Sequence, residues 1–306
     1  MYTIISDGGC DFTKVDVVRH NVDIIPFYIT FDGETHMKEG VDISKDEYFT
    51  RLKTDKTLNP KTAQPSPQDY IDMLTPHLQA GNDVLVLTIS SKLSGSHNSA
   101  TLAAGMMEEE FPSRNIVVLD SLSASIGQGL ILREIIKMRD AGFSLEKTAK
   151  RAEAVRNTTQ LYFTVDSLEF LKKGGRVGTT TAFVGGILGL RPILHIQDGQ
   201  AVQLETVRGK KNAYRLIEEA MVNALRDDVN DIQFNIGHIL SEEDAVNFQV
   251  NIETALSVQM ESPVTSIGAA IGTHAGPGAL AFAYCKKYTA CEANEKTSFI
   301  EERKAA

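Results

Sequence analysis

The side chains best suited to chemistry are concentrated in one hydroxyl-rich stretch, Ser90-Ser91-Lys92-Leu93-Ser94-Gly95-Ser96-His97. It follows a continuous apolar run, Val84 to Ile89, whose β-branched residues read as a strand buried on both faces. It precedes Ala100, Leu102, Ala103, Met106 and Met107, spaced as on an amphipathic helix. Between them Gly95 lets the backbone approach a neighbour closely. A strand, a hydroxyl-rich turn and a helix start gather free N–H groups and a partial positive dipole at one point. That chemistry suits an anionic oxygen, a carboxylate or a phosphate; the plainer role is capping of the helix by Ser94 or Ser96. Two catalytic patterns fail on spacing. A nucleophile elbow needs glycine two positions either side of the serine, where Ser94 has Lys92 and Ser96. No Gly-Lys-Ser/Thr stands at P-loop distance from an earlier glycine.

Other candidates are scattered. Thr62 lies just before Ser66-Pro67-Gln68-Asp69, a capped helix start, and so places a second hydroxyl beside a second helix N-terminus. Arg176 follows Gly174-Gly175 and either reaches toward a domain junction or pairs with a surface carboxylate. His274 lies in Gly272-Thr273-His274-Ala275-Gly276-Pro277-Gly278, read as a loop that is either a packing corner or a site. Arg208-Gly209-Lys210-Lys211 is a basic knot at a helix start, where the dipole disfavours cations. It is either a solvated face or a docking surface for an acidic or phosphorylated partner. Neither an HExxH pattern nor a cysteine pair at ligand spacing occurs, which argues against a metal site. Gly127-x-Gly129 lacks the third glycine of a dinucleotide turn, with Leu132 in its place, so close helix packing accounts for it better.

The elements that must position these residues follow from periodicity. Tyr2 to Ser6 predicts a first strand, and Asp11 is expected to cap a helix carrying Val15, Val17 and Val18. Val22 to Thr30 reads as a strand segment broken by Pro26, followed by a hairpin at Asp32-Gly33. Strands at Val84 and at Asn115 to Leu119 alternate with helices as far as Asn157, the pattern of a doubly wound parallel sheet. From Leu161 the pattern changes. A short strand, a short helix ending at Gly174-Gly175 and a Gly-rich apolar segment from Phe183 to Leu190 precede a hairpin about Asp198-Gly199. A helix from Lys210 to Arg226, a strand from Ile232 to Ile239, and final strands at Val264 to Ala269 and Ala279 to Tyr284 complete an α+β arrangement with a mixed sheet. The expected division is an α/β domain over 1–160, an α+β domain over 161–288 and a polar tail over 289–306.

With 306 residues the chain is long enough for two cores. The net charge of −9 argues against a general nucleic-acid or acidic-membrane surface. Cys10, Cys285 and Cys291 leave one thiol unpaired, as expected in a reducing cytosol. No signal peptide and no run of membrane-spanning length is visible, so the expected location is cytoplasmic.

Seven motifs, taken in order, carry a resemblance. They are Asp7…Asp11, Thr62-x-Gln64-Pro65-Ser66, Ser90-Ser91-x-Leu93-Ser94-Gly95, Asp120-Ser121…Gly127-x-Gly129, Leu168…Gly174-Gly175-Arg176, Pro192-Ile193-Leu194 and His274-x-Gly276-Pro277-Gly278. Over roughly Tyr2 to Tyr284 the chain resembles the DegV family of bacterial fatty-acid-binding proteins, the lipid-presenting subunits of fatty acid kinase. The resemblance implies a long-chain fatty acid in an apolar tunnel between two domains. Its carboxylate would be held by Thr62, Ser94 and the backbone N–H of Gly95. Arg176, Arg208 and His274 would lie near the head group or face the kinase. The implied partner is an ATP-dependent kinase subunit, with no cofactor beyond the lipid and no nucleotide site in this chain.

Two positions depart from the family pattern, Gly8 and Ala63, where serine is common; each removes a hydroxyl near the head group. Phe27, Phe163, Ile187, Leu188 and Ile271 are expected to shape the tunnel. The rival reading is an acyl hydrolase or transferase using Ser94 with His274, which requires the two within hydrogen-bond reach and an acid to orient the imidazole.

Overall fold

A computed structural model describes residues 2–55, 57–177, 189–260 and 263–291. Most of the Gly-rich segment from Phe183 and most of the tail from residue 289, with Ile187 and Leu188, lie outside them.

The chain opens with β1 (Tyr2–Asp7), α1 (Lys14–His20), β2 (Asp23–Ile25), β3 (Tyr28–Thr30) and β4 (Met37–Lys38). It continues through α2 (Lys45–Thr54), β5 (Lys61–Ala63), α3 (Pro67–Gln79), β6 (Asp83–Thr88) and α4 (Ser96–Glu110). Then come β7 (Ile116–Asp120), α5 (Ser125–Asp140) and α6 (Leu145–Thr158). The parallel sheet has the order β2-β1-β6-β7. Along β6 the alternation of side chains serves two cores. Val84 and Val86 pack with Tyr70, Leu74 and Ala103 on one face, while Leu85 and Leu87 pack with Ile4, Leu130 and Ile131 on the other. A small antiparallel sheet, β4-β3-β5, stands beside it.

The second half holds β8 (Gln160–Thr164), α7 (Glu169–Gly174), β9 (Leu190–Gln197), β10 (Gln200–Arg208) and α8 (Lys210–Leu225). It ends with β11 (Ile232–His238), α9 (Glu242–Leu256), β12 (Thr265–Ser266), α10 (Ala269–Ala275) and β13 (Leu280–Lys286). Its sheet, in the order β10-β9-β8-β13-β11-β12, is antiparallel except for the β11–β12 pair. Helix α5 is buried along most of its length and packs against strands of both large sheets. Cys10, Cys285 and Cys291 are free and buried.

Three expectations are corrected. Asp11 does not cap α1: Thr13 does, in a reciprocal pair with Asp16, and Val15 and Val18 of that helix are exposed. Asp11 instead adopts a left-handed conformation and bonds elsewhere. The segment from Val22 to Thr30 serves two sheets, because Pro26 interrupts it and cannot donate to a ladder. Val264 to Ala269 yields only a two-residue strand, and Ala269 begins α10. His274 therefore sits in the last turn of a helix, not in a loop.

The glycines of α5 do serve close packing. A Cβ on Gly129 would lie 2.7 Å from the Cys10 carbonyl oxygen, whereas one on Gly105 of α4 would meet nothing within 4 Å. Gly129→Ala is expected to destabilise by about 1–3 kcal/mol despite alanine's better helix propensity. Gly105→Ala is expected to stabilise by about 0.5–1 kcal/mol. Urea unfolding of the two variants checks both signs.

Candidate functional site

In the parallel sheet the chain leaves β1 toward one edge and β6 toward the other. A crevice therefore opens beyond the carboxyl ends of these adjacent strands, the usual ligand position in such sheets. Asp7 closes β1 there. Its carboxylate accepts from the Gly9 and Ile89 amides (3.1 and 3.0 Å), Ser96 Oγ (2.7 Å) and Gln128 Nε2 (2.9 Å). These bonds anchor both ends of the hydroxyl-rich turn. Ser96 is consequently the first residue of α4, with its hydroxyl committed to Asp7, and Gly95 occupies the cap position with no side-chain cap bond. Neither Ser94 nor Ser96 stands at the cap position. Ser94 Oγ accepts from the Ser96 amide at 3.2 Å and lines a cavity.

That cavity lies between the crevice and the six-stranded sheet. Its walls are apolar: Phe27, Ile89 and Leu93 on one side, Leu161, Phe163 and Ile196 on another, Ala279 and Ala281 from the approach to β13 and the strand itself, and Ala270 and Ile271 from α10. Phe27, Phe163 and Ile271 are thus placed as expected. Most of the polar lining gathers in one region, where Thr62, Ser94, Arg176 and His274 are half-buried and Gln64 is exposed; Ser125 lies apart from it, at the start of α5. Thr62, Arg176 and His274 also border a wider outer cleft with Lys61 and Lys173.

Contacts among these groups fix the rim. Thr62 Oγ1 and His274 Nε2 are 2.8 Å apart, joining β5 to α10. Arg176 Nε donates to the Leu93 carbonyl (3.0 Å), and its Nη1 donates to the Gly174 carbonyl. Gly174 is required by proximity, and Gly95 gives room to Gln64. A Cβ on Gly174 would fall 2.1 Å from His274 Nδ1, and one on Gly95 would fall 2.5 Å from Gln64 Nε2. His274 Nδ1 is buried and has no hydrogen-bond partner among the described residues.

The structure brings together Thr62, Ser94, Gly95, Arg176 and His274 but not Arg208. That residue ends β10, opposite Leu190, with its side chain exposed and outside the walls of both clefts. Gln64 and Ser125 are additional lining residues. Gln64 was legible in the Thr62-x-Gln64 spacing, which puts both on one side of an extended segment. Ser125 carried no comparable signal. The Ser94–His274 pair needed for acyl transfer is not formed: His274 engages Thr62, and among the described residues no acid orients its other nitrogen. Among the described residues no cluster of His, Cys, Asp and Glu could hold a metal ion, and no helix is long and apolar enough to cross a membrane.

Fold and site together define an α/β protein built on two large sheets and a small one, with an apolar chamber and a polar, hydroxyl-bearing rim. A family model described as an uncharacterised protein of the DegV family matches residues 1–287, and the chain belongs to that family. A DegV domain-containing protein of Caldanaerobacter subterraneus subsp. tengcongensis is 30% identical over 279 residues, covering 90% of this chain and 95% of that one. A stearic-acid-binding protein from Eubacterium ventriosum superposes with a TM-score of 0.89 at 31% identity, covering 94% of this chain and 99% of the other. A fatty-acid-binding DegV family protein from Thermus thermophilus gives 0.82 at 31% identity, covering 93% and 99%.

Burial, with the Arg176 charge adding to it, lowers the His274 pKa from 6.5 to about 4. The unfolded chain therefore takes up this proton first, and stability falls as pH drops from about 6.5 toward about 4. His274→Gln is expected to remove that part of the slope, read from urea midpoints at pH 7 and pH 5.

Proposed function

We propose that this protein binds a long-chain fatty acid, with the acyl chain in the apolar cavity and the carboxylate at Thr62, Ser94 and the Gly95 amide. The observation that carries the reading is a cavity with largely apolar walls and a polar cluster of Thr62, Ser94, Arg176 and His274 at its rim. Each methylene taken from water contributes about 0.8 kcal/mol. The carboxylate, which only accepts hydrogen bonds, needs several donors once it leaves water. To donate to it, Thr62 must turn its proton outward and accept from His274 Nε2–H instead. That requirement selects the neutral tautomer with a bare Nδ1, in agreement with the unpartnered Nδ1 beside Gly174. Arg176, half-buried at the same rim, supplies the compensating charge.

Two features favour a carrier that presents its lipid to a partner. The polar region borders an outer cleft edged by Lys61 and Lys173, so the head group can be approached while the chain stays covered. The resemblance adds the partner's identity: an ATP-dependent fatty acid kinase subunit that phosphorylates the carboxylate to an acyl phosphate. The chain would then act in the cytoplasm as a non-catalytic subunit of two domains, 1–160 and 161–288, meeting at the cavity. Arg176 and His274 keep their proposed place near the head group, and the exposed Arg208 can serve only on the surface offered to the kinase.

Native mass spectrometry of the purified protein tests the binding. A copurifying fatty acid is expected, and Thr62→Ala and Ser94→Ala should each weaken its affinity roughly ten- to a hundredfold, the worth of a hydrogen bond to a charged group. An empty protein that takes up no added fatty acid would overturn the reading. For the partner, lipid-loaded protein with ATP should form acyl phosphate only when the kinase subunit is added. Formation without it would make this chain the enzyme.

A further inference from the structure

Helix α10 supplies Ala270, Ile271, His274 and Ala275 to the cavity, yet nothing in its own sequence caps its start. The caps come from far away. Glu39, in the turn after β4, places Oε1 on the Ala269 amide and Oε2 on the Ala270 amide, the latter at 3.0 Å. Asp11 Oδ1 accepts from the preceding amide, Gly268, at 2.9 Å, and its Oδ2 accepts from the hydroxyl of Ser125, which lines the cavity at the start of α5. Three successive amides are thus held by two carboxylates. Both oxygens crowd Gly268, where a Cβ would lie 2.7 Å from Glu39 Oε1 and 3.1 Å from Asp11 Oδ1. Lys45, whose Nζ donates to the Ser266 carbonyl at 3.0 Å, is the cation facing both carboxylates.

The arrangement is costly to keep unless it holds something in place. Burial, with the neighbouring Glu39 charge adding, pushes the Asp11 carboxyl up to about 7. Burial also raises Glu39. Neither side chain lines the cavity, and among the described residues neither bonds to Thr62, Ser94 or His274. What they fix is the position of α10, on whose last turn His274 meets Thr62 and whose Thr273 meets the Tyr48 hydroxyl at 2.7 Å.

We propose that Asp11 and Glu39 are positioning residues for the head-group site: by clamping the start of α10 they set the Thr62–His274 contact from the opposite end of the helix. This rests on the fatty-acid reading for its binding consequence but not for its structural one, and the two are measured separately. Protein labelled with 15N-histidine, with His274 assigned through His274→Gln, reports the imidazole directly. Affinity is read by displacement of a fluorescent fatty-acid analogue with stearic acid.

Glu39→Ala is expected to move the His274 Nε2 resonance and to weaken stearic acid binding at least tenfold. Glu39→Gln, which keeps one acceptor, should bring affinity back to within about threefold. Gly268→Ala, which removes no charge but displaces the Glu39 carboxylate, should move the same resonance and serves if Glu39→Ala does not fold. A folded Glu39→Ala or Gly268→Ala protein with His274 unmoved would overturn the clamp. Wild-type protein that binds no stearic acid would count against the fatty-acid reading, while the histidine resonance would still decide the clamp.

Discussion

A carboxylate shut off from water stands at the end of β1, and donors from separate segments converge on it: two backbone amides, a serine hydroxyl and a glutamine amide. Burial raises the Asp7 pKa, and these hydrogen bonds oppose that shift. The geometry of everything nearby follows from keeping those bonds. Ile89 must leave β6 at a fixed angle, Ser96 must open α4 with its hydroxyl turned inward, and α5 must bring Gln128 against β1. Ser94 lies on the stretch between two of these anchors, so its exposure toward the cavity is inherited from a contact outside the cavity's lining.

The cavity divides its labour along the same lines. Its apolar walls come from the six-stranded sheet, from the loops beyond the parallel sheet and from α10, and they ask of their lining only apolar side chains. Its rim is different, because Thr62, Ser94, Arg176 and His274 each arrive on another element and each is fixed by a partner: a histidine, an amide, a carbonyl and a close glycine. Packing alone would leave such groups free to turn away. Gly174 is the least replaceable part of that rim, since a side chain there would press on the half-buried His274 ring.

The architecture was largely legible because alternating apolar strands and amphipathic helices leave a strong periodic trace. Val84 to Ile89 read as a doubly buried strand and is one. The site residues were legible only as motifs, and their mutual contacts were not: Thr62 and His274 are 212 positions apart, and no local pattern announces their bond. α10 was misread for a related reason. Ala269 to Ala275 is short and nearly featureless, and the acids that cap it belong to the first forty residues, so local signals favoured a strand and a loop. Asp11 looked like an ordinary cap for the next helix because its true partners, Ser125 and Gly268, are remote. Arg208 entered through the resemblance, as a head-group or kinase-facing residue, and its exposed place at the end of an edge strand leaves the second alternative.

The three cysteines have a use of a different kind. Cys10 presses its carbonyl against Gly129 of α5, while Cys285 lies in β13, a strand of the six-stranded sheet that packs on the same helix. Burial raises both thiols, Cys10 to about 12, so neither is reactive while the fold is closed. An alkylating reagent meets them only when the protein opens, and the two thiols then act as independent clocks. Equal labelling rates would mean that both sheets come away from α5 in one event. Unequal rates would identify which sheet breathes first.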